Sequence, residues 1–135
     1  MVQKFGMKIL LTFFVLFLFP ILISFNSYGG LFDKTVCVET DAQIRNDVIY
    51  LPNETEPFTG KNLCEYENGQ IKSEGKVKKG KLVSETRYRY HENGQVEVEQ
   101  NFKDGKKDGK VIYWWEHGRK MTERNWKEGV CISGC

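Results

Sequence analysis

Two hydrophobic patterns divide the chain. From Ile9 to Phe25 apolar residues run almost unbroken, interrupted only by Thr12, Pro20 and Ser24. No run of that length recurs beyond Gly30. Instead, Ile71, Ser73, Gly75 and Val77 alternate with Lys72, Glu74, Lys76 and Lys78, and Val96, Val98 and Phe102 alternate with Glu97, Glu99 and Lys103. A long apolar run without a polar face predicts a helix directed to a membrane, and period-two alternation predicts strands with one buried face.

The alternating region repeats. The segments Tyr66-Glu67-Asn68-Gly69-Gln70, His91-Glu92-Asn93-Gly94-Gln95 and Trp115-Glu116-His117-Gly118-Arg119 place their glycines 25 and 24 positions apart. Four further columns keep the same offsets: Glu74, Glu99 and Glu123; Val77, Phe102 and Trp126; Lys78, Lys103 and Lys127; Gly80, Gly105 and Gly129. Asn-Gly favours two-residue type I′ hairpins, because both central residues need positive φ. Each copy is therefore expected to begin at a hairpin tip, with Lys79-Gly80, Asp104-Gly105 and Glu128-Gly129 reversing the chain at the other end. The extra residue in the first period calls for a β-bulge near Tyr88 to His91, since a one-residue slip would turn side chains to the wrong face. Glycines nine residues before two of the tips, Gly60 and Gly109, are read as turn residues, with Glu85 making the middle turn degenerate. The fold class predicted is all-β, an antiparallel meander of about six strands in repeated hairpins, after an N-terminal hydrophobic helix.

Residues 1–29 have the layout of an export signal: Lys4 and Lys8, the apolar run, then Asn26-Ser27-Tyr28-Gly29-Gly30 with small residues at alternate positions. An uncleaved membrane anchor is the alternative, because no charge falls between Lys8 and Asp33. Both readings export the rest of the chain, as periplasmic, secreted or membrane-anchored protein. Cys37, Cys64, Cys131 and Cys135 all lie beyond the segment, and an even cysteine count in a short exported chain predicts disulfides. Cys131 with Cys135 and Cys37 with Cys64 is the preferred pairing, because the repeat puts Cys64 and Cys131 at opposite ends of a sheet. A zinc site fits poorly: there is no Cys-x-x-Cys, and neither His91 nor His117 neighbours a cysteine. The histidines are expected to face solvent in turns.

Charge changes the picture little. Of 20 basic and 18 acidic residues, only Lys4 and Lys8 lie before residue 30, so the remainder is neutral. A neutral remainder argues against nucleic acid as a partner. Residues 30–56 form an extension with two short strands, at Thr35 to Val38 and Asp47 to Leu51, around a polar stretch from Thr40 to Asn46 that suits a turn or one helical turn. The repeats occupy 57–129, and 130–135 is a tail that its own cysteines can staple.

The repeat columns, the lead-in segment Pro57-Phe58-Thr59-Gly60-Lys61, the Tyr-Glu-Asn-Gly-Gln tips and Asn101-Phe102-Lys103-Asp104-Gly105-Lys106 followed by Asp108-Gly109-Lys110 resemble the MORN-repeat-variant family, in particular bacterial YwqK-family antitoxin-like proteins. The resemblance covers roughly residues 48–129. It implies a chain of β-hairpins used in protein interaction or, in eukaryotic relatives, at membranes. An antitoxin for a cytosolic toxin stays inside the cell, whereas this chain carries an export segment and cysteines suited to an oxidising compartment.

No catalytic constellation, cofactor motif or metal set emerges. Glu74, Glu99 and Glu123 are expected to form cross-strand ion pairs on a polar face, beside Lys72, Lys76 and Arg124. Tyr113, Trp114 and Trp115 are consecutive, so their rings must divide between faces, and at least one should sit on the less buried side as a candidate contact for a protein or an envelope glycan. The expected function is a non-enzymatic exported scaffold with a protein partner, antitoxin-like by resemblance. The alternative is a membrane-anchored protein that binds an envelope glycan or lipid surface.

Overall fold

The computed structural model describes residues 34–135, so the expected N-terminal helix and export signal lie outside the described residues. The described chain is mostly strand. Six strands form the expected meander: β4 (Gly60–Glu65), β5 (Ile71–Lys78), β6 (Lys81–Tyr90), β7 (Val96–Lys103), β8 (Lys106–Trp114) and β9 (Lys120–Lys127). Two more extend it. The tail adds β10 (Val130–Ser133) antiparallel to β9, and β1 (Thr35–Val36) lies parallel on β4, giving one sheet in the order β1-β4-β5-β6-β7-β8-β9-β10.

The tips are not the expected type I′ turns. In the three tips Gly69, Gly94 and Gly118 have positive φ, but Asn68, Asn93 and His117 do not. Each tip is a three-residue loop: the glycine N–H donates to the carbonyl three residues back, and the first tip residue donates to the carbonyl after the glycine, as in Gly69 to Tyr66 (2.9 Å) and Tyr66 to Gln70 (2.8 Å). This is a type I turn closed by a left-handed glycine. The type I′ geometry lies at the other end, where Lys79-Gly80, Asp104-Gly105 and Glu128-Gly129 have positive φ at both positions. Loop length decides the turn. An Asn-Gly pair inside a three-residue loop leaves the left-handed conformation to glycine alone, and the Asn68 and Asn93 side chains instead accept from the Gln70 and Gln95 amides.

Each tip is followed by a register shift, which leaves Lys72, Glu97 and Met121 as the extra residue in β5, β7 and β9. The bulge beside Tyr90 is therefore on β7 and common to all copies, rather than a device of the first period. The extra residue of that period lies in β6, which spans ten residues against nine in β8, with its own shift beside Val77. The bulges also correct the alternation. Ile71 falls out of phase with Ser73 and Val77, and Val96 out of phase with Val98.

Following register and alternation, Asn62, Cys64, Ser73, Val77, Glu85, Val98 and Val111 share one face, and Lys61, Leu63, Glu74, Lys76, Ser84, Thr86 and Tyr88 the other. The N-terminal extension packs on the first face. There the four-residue helix α1 (Val38–Asp41) and the hairpin of β2 (Gln43–Arg45) and β3 (Val48–Tyr50) bring Ile49, Leu51 and Phe58 onto Val77, with Val36, Val38, Ala42 and Leu82 around them. The polar stretch Thr40 to Asn46, expected as a turn or one helical turn, takes in the end of the single-turn helix α1 and the whole of β2, because Asn46 and Asp47 adopt positive φ and close a hairpin that pairs Ile44 with Ile49. Gly60, Glu85 and Gly109 lie inside strands and not in turns. At Gly60 a side chain would strike the Lys34 carbonyl and the Phe58 ring, so its smallness lets β1 and the core approach β4.

Both disulfides join the preferred partners, Cys37 to Cys64 and Cys131 to Cys135, at opposite ends of the sheet. The loop closed by Cys37–Cys64 spans 27 residues and that by Cys131–Cys135 only 4. In chain-entropy terms the first is worth about 3–4 kcal/mol and the second about 2 kcal/mol or less. Urea unfolding of Cys37→Ala/Cys64→Ala should therefore show the larger loss, and equal losses for the two pairs would contradict that ordering. Gly80 and Gly105 provide a second comparison. Both have φ near +75°, and alanine in that region costs about 1–2 kcal/mol. Around Gly105 there is open space, whereas a Cβ on Gly80 meets Val48 and the Ile49 backbone. Gly80→Ala should lower Tm clearly more than Gly105→Ala.

Candidate functional site

The face opposite the extension has no second layer over it among the described residues, and the order of turns divides it into two halves. Near the tips it carries Ile71, Tyr88, Tyr90, Val96, Ile112 and Trp114. Tyr90 donates its hydroxyl to the Ile71 carbonyl (2.9 Å), Tyr66 to the Tyr88 carbonyl (3.0 Å), and the Tyr66 and Tyr90 rings meet edge to face at 6.1 Å. These aromatics knit neighbouring hairpins. So do the tip side chains, with Gln70 donating to the Gly94 carbonyl (2.8 Å) and Asn93 to the Glu116 carbonyl (2.7 Å). His91 is half-buried, with Nε2 2.9 Å from the Trp114 carbonyl, and so does not face solvent as expected; His117 does.

Near the type I′ turns the same face is polar. A groove of about 640 Å³ runs over Thr35, Lys61, Lys76, Ser84, Thr86 and Asn101, with Glu74 and Asp108 also in its lining. Thr86 donates its hydroxyl to Asn101 Oδ1 (2.9 Å), and Asn101 donates its amide to the Lys110 carbonyl (3.0 Å). Lys61 and Lys76 are the lysines of the groove's lining.

Tyr113, Trp114 and Trp115 fall in three places. Tyr113 is half-buried on the extension-side face, Trp114 half-buried on the open face, and Trp115 stands 45% exposed at the third tip. They do not form one patch. Tyr113 is covered by Arg124, whose guanidinium lies 5.7 Å above its ring, and the same device recurs with Arg87 over Phe102 (4.6 Å) and Lys107 over Trp126 (4.5 Å). Cations laid over aromatics, worth about 0.5–1 kcal/mol each when exposed, close this face where the extension does not reach. Val98 and Val111 are buried among them.

The glutamate column is less uniform than expected. Glu123 pairs with Lys110 and Lys120, both at 2.9 Å. Glu74 instead accepts the Tyr88 hydroxyl (2.8 Å), Glu99 the Asn101 amide (3.3 Å), and Lys72 pairs with Glu39. Arg124 lies on the opposite face from Glu123. These partners hold Glu123 below the usual carboxylate range through hydrogen bonds from Lys110 and Lys120; Asp108 is lowered by Lys127 and the Glu128 amide, and Glu97 by Arg89. Burial, then the hydrogen bond to Glu74, raises Tyr88 above an ordinary phenol.

Among the described residues no group of three or more His, Cys, Asp or Glu could hold a metal, and no helix is long and apolar enough to cross a membrane. Comparison with protein-family models, curated proteins and solved structures returned no match. The lysine pairs at the two-residue turns and the hydroxyl-lined groove were missed in the sequence. The signal was there: a two-residue turn fixes its flanking residues as direct partners, so Lys78-Lys79-Gly80-Lys81 and Lys103-Asp104-Gly105-Lys106 already place like charges opposite one another.

Stability should depend on pH at both extremes. The lowered carboxylates contribute above their unfolded range near pH 4, and that contribution is lost as pH falls through their folded values. Raised Tyr88 contributes below about pH 10, and its contribution is lost as pH rises beyond that. Tyr88→Phe should flatten the alkaline limb of a Tm-against-pH profile and leave the acid limb unchanged. An alkaline limb identical to that of the parent protein would rule Tyr88 out as its source.

Proposed function

We propose that the chain is an exported, non-enzymatic β-repeat scaffold that binds its partner through a face of the sheet. The observation that carries this reading is that both ends of the repeat array are stapled by disulfides. Cys37–Cys64 ties α1 to β4, and Cys131–Cys135 closes the four-residue edge strand β10 on itself. Short, covalently closed edges discourage strand addition, and they leave the open face as the larger surface. Oxidised cysteines and the apolar segment before residue 30 support export. Antitoxin activity comes from the family resemblance alone. The second reading, an anchored protein that binds an envelope glycan or lipid surface, is favoured by the hydroxyl- and lysine-lined groove.

Fractionation with mass spectrometry of the mature amino terminus tests the address. A shortened chain with both disulfides outside the cytoplasm supports export with cleavage, and a full-length membrane-bound chain supports the anchor. Reduced, uncleaved protein in the cytosol would overturn both. Capture from an envelope extract tests whether the tip end of the sheet takes part in binding: Trp115→Ala should lower partner recovery with little change in Tm, whereas Trp114→Ala should lower Tm.

A further inference from the structure

One line of cross-strand partners runs straight across the open face. Lys61 of β4 is opposite Lys76 of β5, Lys76 opposite Ser84 of β6, Ser84 opposite Lys103 of β7, and Lys103 opposite Lys106 of β8. Four of the five side chains in this row are lysines. One step nearer the turn, Lys78 is opposite Lys81. All six lysines are exposed, and none has a carboxylate within 4.0 Å among the described residues. Like charges set directly opposite one another destabilise a sheet. Elsewhere on this face the sheet does neutralise a lysine across strands, at Lys110 and Glu123.

The row borders the groove lined by Ser84, Thr86 and Asn101, where the carboxylates of Glu74 and Asp108 are already engaged by the Tyr88 hydroxyl and by Lys127, so a ligand lying across the strands meets a line of cations beside hydroxyl and amide groups. Lys76 and Lys103 are two strand spacings apart, about 10 Å, close to the length of a disaccharide unit. We infer that this half-face binds an acidic polysaccharide bearing one carboxylate per disaccharide, its carboxylates on the lysine row and its sugar hydroxyls toward Ser84, Thr86 and Asn101. Preferring polysaccharide to nucleic acid rests on the export reading, because an exported protein meets envelope polymers. The register row itself does not depend on that reading.

Hyaluronate oligosaccharides, which carry this charge spacing, are the probe, titrated into the full disulfide-bonded chain at low and physiological salt. Binding should weaken with salt, as expected for exposed charges. Lys61→Gln/Lys76→Gln/Lys103→Gln/Lys106→Gln should bind about tenfold or more weakly, while its Tm stays level or rises because the like-charge pairs are gone. Arg119→Gln/Lys120→Gln, at the tip edge, should bind as the parent does. Ser84→Ala/Thr86→Ala should weaken binding without changing its salt dependence. No hyaluronate binding at low salt, undiminished binding by the quadruple variant, or tighter binding to single-stranded RNA or to phosphatidylglycerol vesicles would overturn the inference. Hyaluronate binding by a chain that fractionates as cytosolic would uphold the lysine row and defeat the export reading.

Discussion

Strand-to-strand register is the constraint on which this molecule depends. Each strand from β5 to β9 is pinned at both ends by a turn containing a left-handed glycine, three-residue at the tips and two-residue at the opposite edge. Because side chains alternate, fixing the register fixes the membership of both faces. The bulges at Lys72, Glu97 and Met121 then reverse that membership once per repeat, close to the tips. The reversal has a physical consequence: Ile71 and Val96 join the tyrosines on the open face, and Val77 and Val98 stay on the other. Apolar surface is thereby shared between the faces, and neither half of the open face resembles the other.

A sheet with so little second layer must be held in other ways. At the β4 end the extension supplies a small apolar core around Val77, fastened by Cys37–Cys64 and by Asn62, which accepts the Val38 amide and donates to Ser73. Farther along, no apolar element among the described residues covers Val98 and Val111. Arginine and lysine stems with their charged heads over Phe102, Tyr113 and Trp126 do that work, keeping the charge wet while the hydrocarbon excludes water. In a repeat array each hairpin contacts only its neighbours, so the terminal units are where unpaired edges would fray. Both disulfides sit there.

The six meander strands were legible in the sequence through period-two alternation between turn signals, and the disulfides join the partners it favoured, whereas β2 and β10 fell where a turn and a tail were expected. The turn types were not. Asn-Gly suits a type I′ turn and equally suits the last two positions of a three-residue loop, and only the strand partners reveal which loop length is used. The tip bulges were invisible for a related reason: every copy has one, so comparison of the copies cannot expose it. At the candidate site, alternation correctly placed the lysines on a polar face and divided the aromatic triplet between faces. What alternation cannot supply is the neighbour across the strand. Lys78 appears beside Glu74 and Lys76 in sequence, but its partner is Lys81. Tyr113 likewise reads as a free aromatic until register brings Arg124 over it.

Net charge behaves the same way. Beyond residue 30 the chain is close to neutral, and a neutral chain ordinarily carries no electrostatic surface. Here, however, lysines outnumber acids at the two-residue turns, where Lys76, Lys78, Lys81, Lys103 and Lys106 stand with Asp104, Asp108 and Glu128, while Glu67, Glu92 and Glu116 lie at the tips with Arg119 and Lys120. The two sets are separated by the length of a strand, about 25 Å for eight residues, well beyond the roughly 8–10 Å over which charges act through physiological salt. The edges therefore behave as independent surfaces, and the net charge of the chain describes neither. Within the basic edge the cost is local: Lys61 with Lys76, and Lys103 with Lys106, could each be relieved by a single glutamate, as Glu123 relieves Lys110 on the same face. The backbone permits that solution, so the unneutralised row reflects the choice of side chains and not a limit of the fold.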